Sequence, residues 1–194
     1  MTPAQALERL QAGNDRFVNG NPLARNLPAE REATAAGQYP FAVVLSCLDS
    51  RCSSELVFDQ GLGDLFNTRV AGNILNEDIL GSMEFATKVA GMKLIAVIGH
   101  SKCGAVKGAC TDVQLGNLTG LLAKIKPAVA AVPADTANNL TDAHLEAVAK
   151  ENVKLVLAQI KERSPILTEL IQSGKVGLVG GMYDLKSGRV NLLQ

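Results

Sequence analysis

Five side chains in two short stretches carry most of the chemistry that this sequence can perform. Cys47, Asp49 and Arg51 close the stretch Phe41 to Arg51, F-A-V-V-L-S-C-L-D-S-R, and His100 and Cys103 close Leu94 to Gly104, L-I-A-V-I-G-H-S-K-C-G. In each case an apolar run of strand length ends in polar, ligand-type residues. Two thiolates and an imidazole form a soft donor set that suits zinc, with the fourth position falling to Asp49 or to water. The H-x-x-C spacing lets His100 and Cys103 reach one ion from a single tight loop that Gly104 helps to turn. A free Cys at the end of an apolar strand is more often inert core than ligand, so neither stretch alone makes the case. Together they must also explain Asp49 and Arg51 at a buried strand end, where unpaired charge is costly.

Composition says what can position these residues. A chain of 194 residues is long enough for one domain with a sizeable core, read as 1–194 with a helical arm in 1–38 and an α/β core in 39–194. Hydrophobic content is 47% with only 4% aromatic, so the core rests on Ala, Val, Leu and Ile, as in a parallel sheet covered by helices. Lys plus Arg and Asp plus Glu are 19 each, which gives no general attraction to nucleic acid or to an anionic membrane. No apolar run approaches the roughly 20 residues that cross a bilayer, and no basic segment followed by an apolar one opens the chain. The expectation is a soluble cytoplasmic protein, or a periplasmic one if a signal peptide has been removed. Four Cys are too few for a disulfide scaffold, which also favours a reducing compartment.

Along the chain, Thr2-Pro3-Ala4-Gln5 opens a helix with a capping box, and Leu7, Leu10 and Phe17 share its face up to Gly20. This arm packs either on a partner subunit or on its own sheet. A short helix over Pro28 to Gly37 follows. The period then alternates between strand and helix: strands at Phe41 to Ser46, Asp64 to Val70 and Lys93 to Ile98, a helical turn at Ser53 to Phe58, and helices at Asp78 to Ala90 and from Gly104 to Cys110. Helices at Leu118 to Val132 and Thr141 to Arg163 flank a polar linker, Pro133 to Asn139, and the second carries the stripe Leu145, Val148, Asn152, Val156 and Ile160. A short helix at Pro165 to Ser173 stops at Gly174, and strands at Val176 to Tyr183 and Arg189 to Leu193 flank a turn at Leu185 to Gly188. The fold class is therefore α/β: a mostly parallel central sheet of about four parallel strands plus an antiparallel C-terminal edge strand, flanked by helices. In such a sheet, loops after the carboxyl ends of neighbouring strands converge on one crevice, so the two ligand stretches meet if their strands are adjacent.

These residues resemble the β-class carbonic anhydrases. The motifs are Cys47-Leu48-Asp49-Ser50-Arg51, Arg69-Val70-Ala71-Gly72-Asn73 and Gly99-His100-Ser101-Lys102-Cys103-Gly104-Ala105. The similarity runs from A-L-x-R-L-x-x-G-N-x-R-F at Ala6 to Phe17 through G-x-x-Y-D at Gly180 to Asp184, and so covers nearly the whole chain. It implies one zinc ion per chain on Cys47, His100 and Cys103, with Asp49 and Arg51 as a catalytic dyad. The implied activity is reversible hydration of carbon dioxide to bicarbonate and a proton by zinc-bound hydroxide. The substrate pocket is implied to involve Gln60, Val70, Ala71, Gly72 and the Gly104 amide. Some members have a resting form in which this Asp binds zinc, associated with low pH and with bicarbonate at a second pocket. Arg69 and Tyr183 fall where that pocket's anion-binding residues lie, and Val44 stands where many switching members have Trp. The resemblance also implies a homodimer or a dimer of dimers.

Other readings keep the fold and change the role: a carbon disulfide hydrolase-like enzyme, or a non-catalytic zinc or anion-binding member. A redox protein using Cys47 and Cys103 is a fourth. His144 reads as an exposed surface residue, Cys52 and Cys110 as buried, Gly177, Gly180 and Gly181 as strand packing, and Lys102 and Lys107 as solvated.

Overall fold

The first helix starts where its capping residues dictate. Thr2 accepts the Gln5 N–H, Gln5 returns a side-chain acceptor to the Thr2 N–H, and Pro3 occupies the first turn. In the computed structural model, which describes residues 1–133 and 140–193, this helix is α1 (Pro3–Val18). It is followed by α2 (Leu27–Thr34), β1 (Ala42–Ser46), α3 (Ser54–Val57) and β2 (Leu65–Arg69). A tight turn at Ala71–Asn73 leads to α4 (Glu77–Glu84), β3 (Leu94–His100) and α5 (Gly104–Cys110). Then come α6 (Gly116–Ala123), α7 (Lys126–Ala131), α8 (Asp142–Arg163), α9 (Pro165–Gln172), β4 (Gly177–Tyr183) and β5 (Val190–Leu192).

The sheet runs β2-β1-β3-β4-β5, with the first four strands parallel and β5 antiparallel at the edge. β1 and β3 are buried along their whole length, as their unbroken apolar runs require of central parallel strands. Their register sets Ser46 opposite Ile98, so Cys47 and His100 leave the sheet at the same end. One face, with Val43, Leu45, Ile95 and Val97, packs under α4, α5, α7, α8 and α9 through Met83, Val106, Ile125, Val153, Ile160 and Leu167. The other face, with Ala42, Val44, Ala96 and Ile98, is covered by Ala6 and Leu10 of α1 and by Val57 and Phe58 beside α3. Within this chain, then, the arm packs on its own sheet.

Polar contacts lock the arm down. Buried Asn14 donates to the Val57 and Gly188 carbonyls and accepts the Val190 N–H, tying α1 to α3 and to the C-terminal hairpin. Arg9 pairs with Asp64 at 2.6 Å and lies over the Phe41 ring. Asp59, 6% exposed, accepts from Arg16 and from the Leu23 N–H, with Arg25 3.6 Å away.

Some elements depart from the sequence pattern. The helix expected over Leu118 to Val132 is two helices, because Pro127 has no N–H to continue one ladder and instead occupies the first turn of α7. The helix expected over Asp78 to Ala90 starts one residue earlier, capped by Asn76. It widens into a π turn at Phe85–Val89, where the Thr87 hydroxyl competes for the Met83 carbonyl. His144 is not exposed: it sits buried in the first turn of α8. Cys52 is buried and Cys110 half-buried. Of the expected polar linker, 134–139 lie outside the described residues.

Asp59 makes the arm's attachment pH-sensitive. Burial pushes its carboxyl up, but the Arg16 hydrogen bond, the Leu23 amide and the charges of Arg16 and Arg25 outweigh it and leave the group below its ordinary value. A carboxyl lowered in the folded state stabilises above its unfolded pKa of about 3.9, and that stability is lost as pH falls through the lower folded value. Asp59→Asn, which tolerates the left-handed backbone here (φ 44), should therefore cost about 2 kcal/mol in urea unfolding at pH 7. The gap to the parent chain should begin to narrow at about pH 4 and close as pH falls through the lower folded value, where the folded parent carboxyl protonates as well.

Candidate metal centre

Cys47 is the first residue beyond β1, His100 the last of β3, and Cys103 caps α5, so three elements deliver three ligand-type atoms. These atoms lie within 4.8 Å of one another, and all three residues are buried. The Cys47 and Cys103 sulfurs are 4.0 Å apart, far beyond a disulfide of about 2.05 Å. That distance is near the roughly 3.8 Å edge of a tetrahedron with zinc–sulfur bonds of about 2.3 Å.

The imidazole is oriented for a metal. His100 Nδ1 lies 2.9 Å from the Ser101 carbonyl, which can only accept, so Nδ1 carries a proton and Nε2 is the nitrogen left to face the cluster. Ser101 is in turn pinned: its N–H donates to the Tyr183 carbonyl and its hydroxyl accepts the Leu185 N–H. Among the described residues, buried Nε2 has no hydrogen-bond partner. A buried ring nitrogen without a partner, grouped with two sulfurs, suits a cation that would take the place of any proton there.

Charge tells the same story. The hydrogen bond with Cys103 pulls the Cys47 thiol down to about 4 against the opposing effect of burial, with help from His100 and from the backbone at Asp49 and Gly72. The same bond, then burial, pushes Cys103 up. Burial disfavours a charged His100, but the facing Cys47 and Cys52 sulfurs outweigh it and raise the imidazole to about 10. The mutual shifts show three groups close enough to share charge, and a divalent ion binding there would displace protons.

Asp49 and Arg51 form a bidentate pair just outside. Arg51 Nε donates to Oδ1 at 2.9 Å, Nη2 to Oδ2 at 2.7 Å, and the Arg51 N–H to Oδ1 at 3.0 Å. Arg51 holds the Asp49 carboxyl well below the usual range, so it is an anion at neutral pH. Gly72 comes to the cluster, donating its N–H to Cys47 Sγ at 3.3 Å. Val70 and Ala71 lead into that turn half-buried, and Gly104 is exposed at the start of α5.

The remaining candidates lie elsewhere. Gln60 is committed to Arg9 Nε at 3.0 Å and to the Phe58 carbonyl at 2.6 Å. Val44 and Tyr183 are buried in the arm-side core, whereas Arg69 is exposed on β2. The pattern did not foretell that Arg69 supports the Cys47 loop, donating from Nε to the Cys47 carbonyl at 3.1 Å and from Nη2 to the carbonyls of Leu48 and Asp49. The available signal was register, which pairs Arg69 with Ser46 at the end of β1.

A parallel sheet that gathers two Cys and one His at the carboxyl ends of adjacent strands defines an α/β protein with a site shaped for a metal ion. The family model for carbonic anhydrase matches residues 42–190. The chain is 37% identical to carbonic anhydrase 2 of Mycobacterium tuberculosis, over 98% of this chain and 92% of that protein. It is 35% identical to a carbonic anhydrase of Mycolicibacterium smegmatis, over 98% and 93%. The solved β-carbonic anhydrase CafA of Aspergillus fumigatus superposes with a TM-score of 0.78 at 25% identity, over 98% of this chain and 90% of that one. The chain belongs to the β-class carbonic anhydrase family, and it is an enzyme of that lyase class. No helix among the described residues is long and apolar enough to cross a membrane.

Gly72 is the least replaceable backbone position here. It has φ 68, and a Cβ would come within 2.5 Å of Ile125 Cδ1. Gly72→Ala should lower stability by about 1–3 kcal/mol in thermal unfolding. It should also speed metal loss to a chelator, because the turn must shift away from Cys47.

Proposed function

We propose that this chain catalyses the reversible hydration of carbon dioxide to bicarbonate and a proton, using one zinc ion per chain held by Cys47, His100 and Cys103. The observation that carries the reading is the buried, unpartnered His100 Nε2 grouped with two sulfurs, beside an anionic carboxylate. When bound, zinc supplies Lewis acidity that brings the pKa of a water ligand toward neutrality.

The chain's own residues do the rest. Arg51 fixes the Asp49 carboxylate in one plane, and Asp49, an anion with lone pairs to spare, accepts a hydrogen bond from the reacting water and orients it. Val70, Ala71 and Gly72 offer carbon dioxide an apolar wall, and the Gly104 N–H a donor toward a developing oxyanion. Gln60, with its amide committed to Arg9 and Phe58, takes no part in this reading. Arg51 and Asp49 both being present argues against a merely structural metal, which would need neither.

The Arg51-held arrangement is the working one. For Asp49 to become the fourth ligand it must give up its three hydrogen bonds from Arg51. Bicarbonate competing for Arg69 would favour that form, with Val44 and Tyr183 as the other residues of the pocket implied by resemblance. Assembly into a homodimer or a dimer of dimers would cover side chains that this chain leaves bare: Tyr39 at 90% exposure, Val89 at 71%, Leu56 at 68% and Phe85 at 50%.

Stopped-flow hydration measured beside zinc stoichiometry tests this. One zinc per chain and rapid hydration are expected, with Asp49→Asn and Arg51→Ala each slowing turnover about 100-fold. An undiminished rate in either variant would sink the dyad, and a chain without zinc the metal reading. For the switch, added bicarbonate at fixed pH should inhibit cooperatively in the parent and hyperbolically in Arg69→Gln; identical simple inhibition in both would refute it.

A further inference from the structure

One polar residue interrupts an otherwise apolar face. On α8, Val148, Asn152, Val156 and Ile160 are 0%, 2%, 3% and 0% exposed, and Leu at 152 would fill the same volume without an amide to satisfy. A buried amide must find partners or lose stability. Asn152 finds one 80 residues away: its Nδ2 donates to the Gly72 carbonyl at 2.9 Å.

We propose that Asn152 is a positioning residue for the metal's Cys47 ligand, holding the Gly72 peptide so that the Gly72 N–H donates to Cys47 Sγ. This rests on the metal reading above and deepens it. The carbonyl and N–H of Gly72 lie in successive peptide planes joined by two dihedrals, which in glycine are free over a wide range. Anchoring the carbonyl from α8 restrains the N–H on the other side of the same Cα. The turn is closed further by the Asn73 N–H on the Val70 carbonyl at 2.9 Å.

The chemical effect follows from charge. Two thiolates donate strongly to a divalent ion and blunt its acidity. An N–H aimed at one of them, 3.3 Å from sulfur, draws electron density back from that sulfur. The metal then keeps more of its positive character, and the sulfur is held in one orientation. Partners of this outer kind typically change metal affinity by about 10- to 100-fold.

The experiment uses the full chain, 15N-labelled and loaded with 113Cd in place of zinc. The parent should show scalar coupling between 113Cd and the Gly72 amide proton, transmitted through the N–H···S contact. Asn152→Leu removes the amide at similar bulk; Asn152→Asp keeps the shape and replaces the donor with an acceptor, and serves if the first variant fails to fold. Either should abolish the coupling, shift the 113Cd resonance and speed cadmium loss to a chelator about 10-fold. Val156→Ala, which loosens the same helix face, should lower Tm while leaving coupling and resonance in place. If the Asn152 variants behave as Val156→Ala does, Asn152 is only a core residue and the inference is overturned. A parent chain that takes up cadmium but shows no coupling to Gly72 also overturns it, leaving the metal reading intact, whereas one that takes up none overturns both.

Discussion

The site depends on the parallel register between β1 and β3. Ser46 lies opposite Ile98, so one strand releases Cys47 at the level where the other still runs through Gly99 to His100. Side chains alternate along a strand, and a slip of one residue would send the ligands of one strand to the wrong face. That slip is blocked by burial on both faces: Val43, Leu45, Ile95 and Val97 belong to one core and Ala42, Val44, Ala96 and Ile98 to the other. The hydrophobic cores thus define the ligand geometry before any metal is considered.

On that frame sit groups of two kinds. Cys47, His100 and Cys103 are 4%, 2% and 4% exposed, each tied to a strand end or a helix start, and His100 is further held through Ser101 to β4. Asp49 and Arg51 are on the loop between β1 and α3, with Arg51 more than half exposed. Asp49 is only 17% exposed, so solvent reaches the guanidinium more than the carboxylate it holds. One ligand-type residue, Cys47, and the Asp49–Arg51 pair thus stand within one short stretch.

Much of this was legible in the residues because it rests on local pattern. Apolar runs marked β1 and β3, and the ligand types at their ends marked the cluster. Thr2 with Gln5 marked the start of α1, and Gly188 the hairpin that makes β5 antiparallel. Pro127 was visible too, but the apolar residues around it carried the helical period across a break that its missing N–H enforces. What stayed illegible was contact between a side chain and a distant backbone. Arg69 on Cys47, Gln60 on Arg9 and Asn152 on Gly72 join positions 22, 51 and 80 residues apart, and such bonds leave no periodicity. Asn152 could be seen only as an oddity in an apolar stripe.

Arg69 shows why such bonds matter to control. Its guanidinium is spread over the carbonyls of Cys47, Leu48 and Asp49, so one side chain supports both the ligand and the carboxylate beside it. A guanidinium is a planar fork, and its donors cannot all serve main-chain carbonyls and an anion at once. An anion that drew Arg69 away would loosen the loop that carries Asp49. The coupling between an anion pocket and the metal centre would then need no long pathway: the shared element is the loop itself, and the competing ligands meet on one residue. Val44 itself offers that anion no aromatic surface. The balance is therefore set by the bonds Arg69 would have to surrender.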